Sequence, residues 1–168
     1  MPDRYAPLHT DARVLRLAQR GKDYFPEGVE MPLPKWLEPS SEDKREAERS
    51  GRRPGLSVWD TARTTPALAC WLGARALDEH EAFVALVSRI LSAGAANDRA
   101  LDVVTDPLPH PETDERWPST EVHARQKLVE AAAGHALVEG ITRPAGTTKL
   151  AHKALLDALC TAFKPSPK

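Results

Sequence analysis

Six histidines, at positions 9, 80, 110, 123, 135 and 152, and two cysteines, Cys70 and Cys160, are the side chains of this 168-residue chain best suited to metal or covalent chemistry. A metal needs several ligands converging on one point, yet the histidines form no HxxxH or HxxEH pair and the thiols are not paired in sequence. His123 and His135 lie on a helix expected over residues 119–139, twelve residues apart, which at about 100° per residue puts them on different faces. The histidines therefore read as solvated or locally bonded, and neither a metal nor a cofactor is expected. Cys70 has Ala69, Trp71 and Leu72 around it, an apolar setting that raises a thiol pKa, and Cys160 lies in a similar stretch; both read as core cysteines. His80 and Glu81 have the composition of an acid–base pair, but adjacent side chains on a helix diverge, and Glu81 has a capping role available. No GxxxxGK[ST] loop, GxGxxG turn or GxSxG elbow occurs, so the common nucleotide cradles and the strained hydrolase nucleophile lack a signature.

A second constellation joins Arg13 or Arg16 on an early strand to Ser57-Val58-Trp59 on a later one, with a helix directly behind it. Over residues 13–72 this order resembles the arginine strand and the serine-plus-aromatic strand of ADP-ribosyltransferase-like domains. The resemblance implies a small enzyme acting on a nicotinamide dinucleotide or related nucleotide, carried by Arg13, Arg16, Ser57 and Trp59. The pattern departs from the family at the carboxylate that stabilises the developing ribosyl cation, for which no Glu-x-Glu turn stands in the expected place. The plainer account makes Leu56 and Val58 sheet core and lays Trp59 over a helix.

Two surfaces suggest binding instead. His110 and Trp117 flank an acidic loop containing Glu112, Asp114 and Glu115, and the surrounding prolines hold it extended without an ordering cost on binding. The competing role for Trp117 is a staple residue ahead of the third helix. The basic side chains Lys44, Arg45, Arg49, Arg52 and Arg53 could neutralise phosphates, but Glu42, Asp43, Glu46 and Glu48 interleave with them and repel the same backbone. A solvated charged face is the stronger reading, and nucleic-acid binding, which predicts steep salt dependence, is disfavoured.

Positioning these groups requires elements, and the punctuation for them is uneven. Residues 12–18 permit a strand with Leu15 and Leu17 inward, although seven residues do not distinguish it from a helical turn. From Tyr24 to Pro39, prolines at 26, 32, 34 and 39 predict an extended strap pinned by Trp36 and Leu37. Residues 40–54 read as a charged, mobile excursion with a polar helical turn or two, for which Ser40 and Ser41 are candidate caps. Gly55–Asp60 is the clearest strand, and Leu101–Thr105 is another, with a short extended piece around 110–116 as its potential partner. Helices are expected at 65–77, capped by Thr65-Pro66, at 79–93, capped by Asp78, at 119–139, stopped by Gly140, and at 147–163.

The chain is 41% hydrophobic and 28% charged, ordinary for a globular protein and unlike collagen or a rod. No apolar run approaches the roughly 18 residues of a membrane span, and the first residues lack a secretory pattern. Two unpaired cysteines suit a cytoplasmic protein. Net charge is −1, but residues 78–121 carry 3 basic against 10 acidic groups, while residues 141–168 carry 5 basic against one acidic. The expected fold is therefore α+β, a helix-rich single domain over 1–168 with four helices on a small sheet of three or four short strands. By elimination the expected function is that of a small cytosolic accessory protein, non-catalytic, binding another macromolecule, a protein first of all, through the acidic middle, the proline-rich straps, or both.

Overall fold

Residues 12–18, short enough to admit either period, form a strand because a long partner is available to pair with them. β1 (Arg13–Gln19) runs antiparallel to β3 (His80–Leu86) in unbroken register from Arg13↔Leu86 to Gln19↔His80. The computed structural model describes residues 3–73, 75–109 and 122–167, with the backbone alone for 122–124. Its other strands are β2 (Gly55–Asp60), β4 (Asp102–Thr105), β5 (His135–Glu139) and the two-residue β6 (Lys164–Pro165). They make one six-stranded sheet, ordered β4-β5-β2-β1-β3-β6, in which every pairing is antiparallel.

Alternation along these strands separates two faces. Val14, Ala18, Leu56, Val58, Phe83, Ala85, Val103, Ala136 and Val138 share the larger core. It is covered by α3 (Val87–Ala95), α5 (Lys149–Ala162) and the Tyr24–Pro39 strap, whose Trp36 and Leu37 are buried as expected. Trp36 meets both Phe83 and Phe163 edge to face, at centroid distances of 5.4 Å. On the opposite face Leu15, Leu17, Trp59 and Val84 pack with Ala69 and Leu72 of α2 (Pro66–Leu72). α4 (Val122–Ala133) lies beside α2, turning Leu128, Ala131 and Ala132 inward.

The α+β class holds, but the balance shifts toward sheet, with six strands and five helices among the described residues. The helix expected over 79–93 is a short 3-10 turn at Leu77–Glu79, then β3, and only then α3. Phe83, Val84, Val87 and Ile90 fit a helical stripe, yet the seven-residue ladder with β1 overrides that local preference. The helix expected over 119–139 stops at Ala133, and His135 begins β5. Gly134 makes the break: a Cβ there would stand 2.7 Å from Thr64 Oγ1 and 2.9 Å from Arg63 Cβ, so only glycine lets the chain turn so close to that loop. The charged segment after Pro39 contains α1 (Ser41–Ser50), with Ser40 and Asp43 forming a reciprocal capping box. Thr65 and Pro66 open α2 as expected, with Thr65 accepting from the Leu68 amide. The extended piece expected near 110–116 lies outside the described residues; β4 pairs with β5.

Candidate functional site

β2 is flanked by β5 and β1, and its odd positions face the smaller core. β5 runs antiparallel beside it with Trp59 opposite His135 and Ser57 opposite Leu137, so Ser57 and His135 are diagonal neighbours on one face. At that spacing the imidazole reaches the hydroxyl: Ser57 Oγ lies 2.5 Å from His135 Nε2. The Trp59 ring meets the imidazole edge to face at 4.9 Å and limits its rotation. His135 is buried, whereas Ser57 keeps partial solvent exposure between the buried Leu56 and Val58.

The far side of the imidazole is held just beyond β4. Asp106 continues the β4–β5 ladder, giving its amide to His135 O at 2.9 Å, and its own carbonyl lies 2.8 Å from His135 Nδ1. The Asp106 carboxylate is 3.5 Å from the same nitrogen. The first residues of the chain run along the outer edge of β4, bonded through Tyr5, Ala6 and Leu8, and so deliver Arg4 Nε to Asp106 Oδ1 at 2.9 Å. Burial pushes the Asp106 carboxyl upward, but hydrogen bonds and charge from His135 and Arg4 outweigh it and hold its pKa below the usual value.

These contacts select one tautomer. A backbone carbonyl only accepts, so His135 Nδ1 carries the proton and donates to Asp106 O. Nε2 then presents its lone pair, and Ser57 donates its hydroxyl proton to it. The direction of hydrogen bonding, from serine to imidazole to an acceptor behind it, is that of a hydroxyl activated by a general base. Leu15, Leu17 and Leu108 share this face with Trp59, so the surroundings are apolar.

No protein-family model, no curated protein and no solved structure matches this chain.

Of the residues singled out in the sequence, Ser57 and Trp59 lie together at this site, while Arg13 is exposed. Arg16 occupies the opposite face. Its guanidinium stacks on Trp36 at 5.5 Å and donates to Ser57 O at 2.8 Å and Trp36 O at 3.0 Å. The β1–β2 ladder registers only at Val14↔Asp60 and Leu15↔Trp59, and Arg16 fills the gap beyond. Burial lowers the Arg16 pKa to about 10, so it remains charged at neutral pH. Arg16 and Ser57 thus present their functional groups to different faces and share no cleft. His110, Glu112, Asp114, Glu115 and Trp117 lie outside the described residues.

Sequence reasoning missed His135 and Asp106. Assigning His135 to a helix removed it from Ser57, although Gly134 marked the break and His135-Ala136-Leu137-Val138-Glu139 alternates as a strand does. Asp106 directly follows a correctly expected strand, but no local pattern indicates that its carbonyl would meet a residue 29 positions away. Cys70 is buried and burial raises its pKa, while burial and Asp157 raise that of Cys160. Among the described residues no group of three or more His, Cys, Asp or Glu could hold a metal ion, and no helix is long and apolar enough to cross a membrane.

Proposed function

We propose that this protein is a small serine-type hydrolase acting on esters or thioesters of apolar acyl groups, with Ser57 as nucleophile and His135 as general base. The observation that carries the reading is the polarity of the hydrogen-bond chain, with Ser57 donating to an imidazole whose other nitrogen is committed to Asp106. In this reaction Nε2 takes the hydroxyl proton as Oγ attacks the acyl carbonyl, and returns it to the departing alcohol or thiol. Water then gives its proton to Nε2 while its oxygen attacks the acyl-serine, releasing the carboxylic acid and restoring the hydroxyl on Ser57. Asp106 and Trp59 act as positioning residues, holding tautomer and ring plane. The apolar neighbours Leu15, Leu17 and Leu108 suit an uncharged acyl chain. Turnover of p-nitrophenyl esters graded in acyl length tests this reading. Rates above buffer that vanish in Ser57→Ala and His135→Ala support it, and equal rates in all three proteins overturn it.

The binding reading, a non-catalytic accessory protein engaging another protein, has one surface in its favour. Leu77 is 55% exposed on the rim of a groove of about 710 Å³ whose walls join Val29, Pro66 and Pro165 to the Arg20–Glu81 ion pair and Asp78. An extended partner segment with apolar side chains for Leu77 and polar ones for the charged wall suits that groove. This reading expects a stoichiometric companion at native expression that Leu77→Asp releases and Ser57→Ala retains; a companion that ignores Leu77→Asp counts against it.

A further inference from the structure

Away from Ser57, three cations from three parts of the chain surround one cavity. Lys44 comes from α1, Arg143 from the loop after β5, and Lys149 from the first turn of α5, and they line a depression of about 390 Å³ together with Glu38, Thr142 and His152. All three cations are exposed, and none forms an ion pair or hydrogen bond among the described residues. Elsewhere Arg4, Arg20, Lys35, Arg45, Arg49, Arg52, Arg53 and Arg63 are each paired with a carboxylate. Like charges brought to one cavity repel, and a bound anion would relieve that repulsion.

The framework beneath them is rigid. Arg99 donates from one guanidinium nitrogen to the carbonyls of Gly140, Ile141 and Thr142, at 2.8, 2.6 and 2.7 Å, fixing the loop that carries Thr142 and Arg143. His152, only 8% exposed, forms the inner wall, and its Nε2 lies 2.6 Å from Glu38 Oε1. The one lining carboxylate is therefore already engaged by a donor. Thr148 caps the Ala151 amide, which leaves the amides of Lys149 and Leu150 without partners inside α5.

We propose that this cavity is a binding site for a dianionic phosphate, either inorganic phosphate or the terminal phosphate of a monoester. Three cations against one engaged carboxylate leave an excess that matches two negative charges. The Arg143 guanidinium, with its fork of N–H donors, suits tetrahedral phosphate oxygens. The site is independent of Ser57 and needs no activity there.

Titration calorimetry in phosphate-free buffer, with inorganic phosphate in one arm and a nucleoside 5′-monophosphate in the other, tests the proposal. Saturable binding in either arm is expected, weakened by about tenfold in Arg143→Ala and again in Lys149→Ala, since each removes one charge-assisted contact. Equal affinity in the two arms assigns the free ion, and tighter binding of the ester assigns a larger phosphorylated ligand. No saturation up to about 10 mM in either arm overturns the proposal, as does binding that both variants leave unchanged.

Discussion

Ser57 and His135 stand diagonally across the β2–β5 ladder, with Oγ 2.5 Å from Nε2, because Trp59 takes the place directly opposite the histidine. A histidine facing serine directly would have its ring crowded over the short side chain; the diagonal lets the imidazole reach along the sheet with Trp59 behind it. Strand register therefore aligns the pair, and the hydrogen bond to Asp106 O determines which nitrogen carries the proton.

Ser57→Ala separates chemistry from structure. It removes the nucleophile, so ester turnover falls by about 10³-fold or more, while leaving Nε2 of His135 without its donor costs roughly 1–3 kcal/mol of stability. Turnover and the urea midpoint, measured on the same preparations, check both. A large stability loss with turnover intact would make the contact a structural clasp only.

Asp106 predicts a pH dependence whose sign follows from its lowered pKa. A carboxylate titrating lower in the folded than in the unfolded chain contributes stability that is present above the unfolded value, roughly pH 4, and lost as pH falls through the folded one. Asp106→Asn should therefore be less stable than the parent by ~1–2 kcal/mol at pH 7, the scale of a charge-assisted hydrogen bond, with the gap closing in acid. Urea midpoints at the two ends of that range measure it. A gap independent of pH would show that the carboxylate charge contributes nothing.

Arg16 acts as a clamp where β1 and β2 part, satisfying Ser57 O and Trp36 O at once. Arg16→Met retains much of the apolar stem but strands both carbonyls, for an expected loss of about 2 kcal/mol or more. Arg16→Lys keeps the charge without the two-pronged geometry and recovers only part of it. Thermal unfolding of the pair gives the comparison, and a fully stable lysine variant would contradict the clamp.

The strands and caps with strong local punctuation were legible in the sequence. Gly55 and Asp60 bracket β2, Thr65-Pro66 opens α2, and Trp36 and Leu37 anchor the strap. β3 and β5 were not, because their apolar residues satisfy a helical period as well as a strand period, and the partner that decides between them lies far along the chain. Ser57 and Trp59 stood out by composition. Their association with His135 depends on that missed strand, which is why half of the site was visible and its base was not.

Gly134 tests the link between the break in the chain and the site. Gly134→Ala pushes a methyl into Thr64 Oγ1 and Arg63, for an expected cost of about 1–3 kcal/mol. It also displaces the start of β5, and turnover should fall although no reacting group has changed. Unaltered activity in a destabilised variant would show that His135 is positioned without help from Gly134.

Covalent capture of the serine tests the catalytic assignment most directly. Treatment with a fluorophosphonate, followed by proteolysis and mass spectrometry, is expected to place a single phosphonyl adduct on Ser57, formed far more slowly in His135→Ala. A protein that stays unlabelled while active-serine controls react, or an adduct on another residue, would contradict it.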